Sequence, residues 1–150
     1  QFLFTKSVIA VDKREELGYC KGDMEEKLKP HLQPLYSSLE YLYQDELYKG
    51  KQRHSIDQLV SELLSNDILR FYPLANILGM SIFNKVVMLD EAQNTTPHMM
   101  KSLVTRMNDN AKLIVTGDID QIDDRNLNKY NNGLTHLIEA GKEEPYIAHI

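Results

Sequence analysis

The chain predicts a layered α/β/α fold on a mainly parallel sheet, incomplete at both ends. Three observations carry that expectation. Val86-Val87-Met88-Leu89 is an unbroken apolar run ending in Asp90-Glu91. A strand buried on both faces reads this way, and it delivers its charges to the carboxyl edge of the sheet, where open α/β folds bind ligands. Leu113-Ile114-Val115-Thr116 is a second apolar run, ending in Gly117-Asp118 with Gln121 beyond it. Between the two lies a helix pattern. Thr96 is a good N-cap, Pro97 suits the first helical position, and Met99, Met100, Leu103 and Met107 repeat at helical spacing. Strand, helix and strand in that order make the strands parallel and the crossover right-handed.

The other elements follow from local signals. Phe2-Leu3-Phe4 is a short strand with Thr5-Lys6-Ser7 as its exit, and Val8 to Val11 is apolar again. Asp23 caps a short helix to Lys27 that Pro30 ends. A longer helix runs from about His31 to Tyr48, with Pro34 tolerated in its first turn and Leu32, Leu35, Leu39 and Leu42 on one face. Tyr48 to His54 is a polar, basic loop. Ser55 and Gln58 make a capping box for a helix that buries Ile56, Leu59, Val60 and Leu63. Ile68 to Tyr72 is a strand closed by Pro73, while Leu74 to Met80 fits helix or loop. Asp109-Asn110 turns the chain into the strand from Lys112 to Thr116. Asp123 to Gly133 is an Asn- and Asp-rich loop, Leu134 to Ala140 a helix, and Tyr146 to Ile150 a last strand.

Composition sets the bounds. A chain of 150 residues with 42% hydrophobic and 26% charged residues is the size and make-up of one soluble domain, here 1–150. No apolar run approaches the ~20 residues that a membrane-spanning helix needs, so no membrane role is expected. Cys20 is the only cysteine and cannot form an internal disulfide, which fits a reducing cytoplasm. The histidines show no zinc spacing with it. A net charge of −5 argues against a strongly basic nucleic-acid surface and leaves room for a local one, such as Lys49, Lys51, Arg53 and His54.

The strand ending in Asp90-Glu91 reads as the Walker B element of a P-loop nucleotide hydrolase. Asp90 would hold Mg²⁺ and Glu91 would polarise the attacking water. The phosphate-cradling pattern G-x-x-x-x-G-K-[ST] is absent. Gly50-Lys51 has Asp45 where the first glycine belongs, and Gly141-Lys142 has His136. The chain opens on Gln1, so a piece of a longer protein is expected, with that loop upstream of residue 1.

Leu89-Asp90-Glu91-Ala92-Gln93-Asn94-Thr95-Thr96-Pro97 resembles the Walker B signature of the PhoH-like family of P-loop proteins. Val115-Thr116-Gly117-Asp118 with Gln121-Ile122-Asp123 resembles its second, sensor-like motif. Leu17-Gly18-Tyr19, Gly22-Asp23, Glu26-Lys27, Pro30 and Pro34-Leu35-Tyr36 match an upstream family segment. Asn132-Gly133-Leu134-Thr135 and Ala148-His149-Ile150 look most like the PhoH half of PIN–PhoH fusion proteins. Lys6-Ser7 departs from an Arg-Pro pair, Cys20-Lys21 from Leu-Pro, and Leu78-Gly79-Met80 from Arg-Gly-Arg.

The resemblance implies a RecA-like ATPase core coupled to unwinding or processing of single-stranded RNA or DNA, with ATP and Mg²⁺ as cofactors and homo-oligomers possible. Asp90, Gln93, Gly117 and Asp118 would bind the nucleotide and its metal. Glu91 and Gln121 would be catalytic, Gln121 sensing the γ-phosphate. An Arg-bearing motif would follow residue 150. The isolated chain would bind ATP weakly or not at all and hydrolyse nothing measurable. Two alternatives stand beside this reading. One is a Mg²⁺-dependent phosphodiesterase built on Asp90, Glu91, Asp118, Asp120, Asp123 and Asp124. The other is a non-catalytic binding module. Convergence of at least three carboxylates on one point would favour the phosphodiesterase.

Overall fold

The computed structural model describes residues 1–7, 33–49 and 55–150. The apolar run 8–11, the Asp23-capped helix, Leu32, Cys20 and the basic residues 51–54 lie outside them. The chain divides into two compact units, one holding the described residues 33–49 and 55–71, the other 2–7 and 72–150.

The first unit contains α1 (Gln33–Lys49), α2 (Ile56–Ser65) and β2 (Leu69–Phe71). Pro34 sits in the first turn of α1. Leu35 and Leu39 are half-buried, but Leu42 is 71% exposed, so the expected apolar face does not extend to it. The capping box of α2 forms as expected. The Gln58 N–H donates to Ser55 Oγ at 3.2 Å, and the Ser55 N–H donates to Gln58 Oε1 at 2.9 Å. The box satisfies two helix-end donors that would otherwise need water. Val60 is the fully buried residue of the α2 face.

The second unit carries β1 (Phe2–Lys6), α3 (Leu74–Ile77), β3 (Val86–Asp90), α4 (Pro97–Val104), β4 (Lys112–Val115) and α5 (Gly133–Gly141). Strand β1 is longer than its apolar residues suggest. Thr5 and Lys6, expected to leave the strand, belong to it, because β1 pairs in parallel with β3 from Phe2↔Val86 through Lys6↔Asp90. On its other side β3 pairs in parallel with β4, from Val86↔Lys112 to Leu89↔Val115. The Walker B strand is therefore central and has both neighbours. With β1 on one side and β4 on the other, no further strand can pair with it. The outer edge of β4 has no strand on it among the described residues.

In-register residues of parallel strands share a face. Leu3, Val87 and Leu89 form the core with Ile77, Met100 and Leu103, and Leu113 and Val115 pack against it. On the opposite face Phe4 is buried, Met88 half-buried and Ile114 45% exposed. Thr96 caps α4 as expected, accepting from the Met99 N–H at 3.2 Å, with Pro97 opening the helix. Met107 lies beyond the end of α4 and bridges to Ile82. Asn110 holds the expected turn at a left-handed φ of 57°, which asparagine tolerates.

The segment 74–80 resolves as the short helix α3 and a turn. Arg106 donates from Nε to the Leu78 carbonyl at 2.9 Å, so it ties down that turn. Tyr146 to Ile150 is not a strand. The Ile147 N–H closes a turn on the Glu144 carbonyl at 3.1 Å, and Ile147 packs over Gly141. Among the described residues no helix is long and apolar enough to cross a membrane.

Among the described residues one core atom has no partner. Thr5 Oγ1 is buried and makes no hydrogen bond, in a residue 1% exposed. A buried polar group without a partner carries its full desolvation cost. Thr5→Val keeps the branched shape and removes that hydroxyl. It should raise unfolding stability by about 1 kcal/mol, measured by urea denaturation.

Candidate functional site at the carboxyl edge

The sheet register assembles the site. β1, β3 and β4 run in the same direction, so Lys6, Asp90 and Thr116 reach one edge together. Backbone bonds continue the ladder past the strands. The Ser7 N–H donates to the Asp90 carbonyl at 3.1 Å, the Thr116 N–H to Leu89 at 2.9 Å and the Ala92 N–H to Thr116 at 3.0 Å. Asp90 Oδ1 accepts from the Thr116 hydroxyl at 2.9 Å. Lys6 Nζ lies 3.8 Å from Asp90 Oδ2 and 3.3 Å from Glu91 Oε1.

At Glu91 the chain breaks sharply out of the strand. Its backbone is left-handed, φ 56° and ψ 42°, and it opens a 3-10 turn over Ala92–Asn94. A non-glycine residue held there costs on the order of 1 kcal/mol or more, a cost that clusters at functional sites. The kink brings Gln93 beneath the site, where it is fully buried. Gln93 Nε2 donates to Glu91 Oε2 at 2.6 Å and to the Gln121 carbonyl at 3.0 Å, while Gln93 Oε1 accepts from the Asp118 N–H at 3.1 Å. One carboxamide thus ties the exit of β3 to the exit of β4. Gly117 makes room for it, since a Cβ there would collide with Gln93 Oε1 and press on Ala92 N at 3.1 Å.

The loop after β4 is built on Asp118. Its Oδ1 accepts from the Asp120 N–H at 2.8 Å and its Oδ2 from Gln121 Nε2 at 2.8 Å. These donors, the Asp120 N–H first and the Gln121 amide second, hold the Asp118 carboxyl below the usual aspartate range. Farther along, Asn94 and Asp123 pair reciprocally. The Asp123 N–H donates to Asn94 Oδ1 at 2.9 Å, and Asn94 Nδ2 reaches Asp123 Oδ2 at 3.4 Å. Ser7 Oγ donates to the Asn94 carbonyl at 2.9 Å, fastening the end of β1 to the same turn.

Asp90, Glu91, Gln93, Gly117, Asp118 and Gln121 therefore gather around two adjacent strand exits. Gln93 and Gly117 support the site from within, and Asp90, Glu91, Asp118 and Gln121 carry its accessible polar groups. Lys6, Ser7, Asn94 and Thr116 join them and were not singled out from the sequence as site residues. In the sequence Lys6 and Ser7 read only as a polar strand exit and as departures from a family pattern. Their part depends on a pairing more than eighty residues away, between Lys6 and Asp90.

The other acids go elsewhere. Asp120 pairs with Lys129. Asp124 Oδ1 accepts from the Asn126 backbone and side chain at 2.8 and 3.0 Å. Among the described residues no three acidic, histidine or cysteine side chains converge as a metal cluster, so the phosphodiesterase reading has no carboxylate cluster here. The donor set does fit Mg²⁺ in the nucleotide-site manner. That ion takes one or two protein carboxylates and fills its shell with water and phosphate oxygens. Asp90 Oδ2 and Glu91 Oε1 face the same space.

A parallel α/β sheet whose central strand ends in adjacent carboxylates, braced by a second strand exit, has the architecture of a RecA-like P-loop protein. The family of PhoH-like proteins matches residues 1–150, and the chain belongs to that family, which is generally one of P-loop nucleoside triphosphatases. Protein PhoH2 of Bacillus subtilis is 35% identical over 146 residues, covering 95% of this chain and 31% of that protein. A PhoH-like protein of the same organism is 39% identical over 114 residues, 76% of this chain and 32% of that protein. Protein PhoH of Escherichia coli is 33% identical over 123 residues, 82% of this chain and 31% of that protein. The chain spans about a third of the length of these relatives.

Two outcomes test this geometry. Gln93→Ala leaves the Asp118 N–H and the Gln121 carbonyl without their buried partner and opens a void. It should cost about 2–4 kcal/mol of unfolding stability, read by chemical denaturation. Gln121→Leu should move the Asp118 carboxyl partway back up toward the ordinary range, the Asp120 N–H still holding it down, as followed by NMR titration. The sign follows from a depressed folded-state pKa. The stability from Asp118 is present above the ordinary aspartate range and is lost as pH falls through the lowered value.

Proposed function

We propose that this chain is the ATP-binding and ATP-hydrolysing core of a PhoH-like protein, coupled in the complete protein to the handling of single-stranded RNA or DNA. The observation that carries the reading is the Gln93 bridge. It couples Glu91, on the Walker B strand, to Asp118 and Gln121, on the neighbouring strand exit. A solvated acidic strand end needs no such brace. A site that must hold a water-polarising carboxylate against a phosphate sensor does.

In this reading Asp90 would hold Mg²⁺, with Thr116 orienting the carboxylate through Oδ1. Mg²⁺, when bound, supplies positive charge to the β- and γ-phosphate oxygens. Glu91 orients the attacking water and accepts its proton. Gln121 would sense the γ-phosphate by exchanging its bond to Asp118 for one to phosphate. Gln93 then transmits that change to Glu91.

The phosphate-cradling loop would come from a strand added at the outer edge of β4. Its parallel direction would carry the following loop to this same carboxyl edge, beside Asp118. A cytoplasmic location and self-association belong to the same proposal.

The test is made in the full-length protein. Glu91→Gln should leave ATP binding within about twofold and lower turnover by about a hundredfold or more, because its carboxylate acts on the transition state. Asp90→Asn should instead weaken Mg²⁺-dependent ATP binding. Steady-state hydrolysis beside calorimetric ATP titration separates the two. Unchanged turnover in Glu91→Gln would remove Glu91 from the mechanism. Stimulation of turnover by single-stranded RNA or DNA tests the coupling.

A further inference from the structure

The oxygens of the acidic pair are not equally occupied. Asp90 Oδ1 is taken by the Thr116 hydroxyl at 2.9 Å, and Glu91 Oε2 by Gln93 Nε2 at 2.6 Å. The remaining two, Asp90 Oδ2 and Glu91 Oε1, both face Lys6 Nζ, at 3.8 and 3.3 Å. These are the oxygens that any cation entering the site would use. We propose that Lys6 is the resident counter-ion of the site. Its ammonium neutralises the Asp90–Glu91 pair in the absence of a divalent cation and must withdraw for one to bind, so that this lysine sets the metal concentration at which the site is loaded. The proposal rests on the nucleotide-site reading above.

The geometry makes the competition direct. Lys6 is the last residue of β1 and lies in register with Asp90, so its position at the carboxylates follows from the strand pairing. Its backbone cannot retreat. The next residue is held twice, by the Ser7 N–H on the Asp90 carbonyl at 3.1 Å and by Ser7 Oγ on the Asn94 carbonyl at 2.9 Å. Only the side chain can yield. A lysine suits that task. It carries a compact, strongly hydrated charge on a flexible stem, whereas a guanidinium fork would grip a carboxylate in a fixed bidentate geometry.

Its side chain is 21% exposed, beside carboxylates 24% and 35% exposed, so water reaches the pair and the ammonium has somewhere to go. Water at the pair screens its charges, so the ammonium can exchange. A divalent ion brings twice the charge to the same two oxygens. The released ammonium stays tethered to the same sheet edge by its strand.

The experiment uses the full-length protein and Mn²⁺ as the probe, a divalent ion that shares the preference of Mg²⁺ for oxygen ligands. Free Mn²⁺ is counted by electron paramagnetic resonance, with and without a non-hydrolysable ATP analogue. Lys6→Gln should bind Mn²⁺ about five- to tenfold tighter than the wild type, and the gap should narrow as salt is raised. Lys6→Arg, which keeps the charge, should not show the gain. Lys6→Met keeps the aliphatic stem and serves as a second neutral variant, and thermal melts identify any variant that fails to fold.

Neutral, folded variants that bind Mn²⁺ no tighter than the wild type would overturn the lysine proposal alone, provided the wild type takes up Mn²⁺ with the analogue. A wild-type protein that takes up neither overturns the nucleotide-site reading and this proposal with it.

Discussion

The buried carboxamide of Gln93 is the constraint on which the site depends. Strand pairing brings the ends of β3 and β4 to the same edge, but the residues beyond a strand end are free to diverge. Gln93 removes that freedom by bonding to groups on both exits from a position without solvent. Each of those bonds left unmade in such a place would cost about 1–3 kcal/mol. The loop holding Asp118 and Gln121 is therefore locked to the turn holding Glu91. The bareness of Gly117 is part of the same device, because any side chain there would push the carboxamide out of reach.

Part of the motif that marks this family has a packing role here. Thr95 is fully buried, and its hydroxyl donates to the Ala92 carbonyl at 2.7 Å. The Gly133 N–H donates to the Thr95 carbonyl at 2.7 Å. A Cβ on Gly133 would collide with Thr95 Oγ1, so helix α5 docks against the turn through a glycine contact. Asn132, with no exposed surface, caps that helix by accepting from the Thr135 N–H at 2.9 Å, and it donates to the Asn128 carbonyl at 2.9 Å. The Thr95-Thr96-Pro97 and Asn132-Gly133 elements thus fit each other across the structure.

What was legible in the sequence was local. The apolar run before Asp90, the Thr96-Pro97 start of α4 and the Ser55–Gln58 box each declare themselves within a few residues, and each formed. What depended on a distant partner was not legible. Thr5 and Lys6 look like a polar exit, and only pairing with Leu89 and Asp90 makes them strand. Tyr146 to Ile150 has strand-like composition, yet the segment turns back on Glu144 and spends Ile147 on Gly141. Gln93 looked like a polar residue facing a ligand. Its buried, hydrogen-bonded state comes from partners 25 and 28 residues along the chain.

The left-handed backbone of Glu91 sets two pressures on a single position. Glycine or asparagine would occupy φ 56° with less strain than glutamate, so the local conformation disfavours the residue whose carboxylate faces the site. A search for heat-resistant variants that screened only for folded protein would drift toward those replacements and shed the carboxylate while the fold improved. Position 91 is where the evolutionary interests of durability and chemistry part, and a screen that keeps both must score them together.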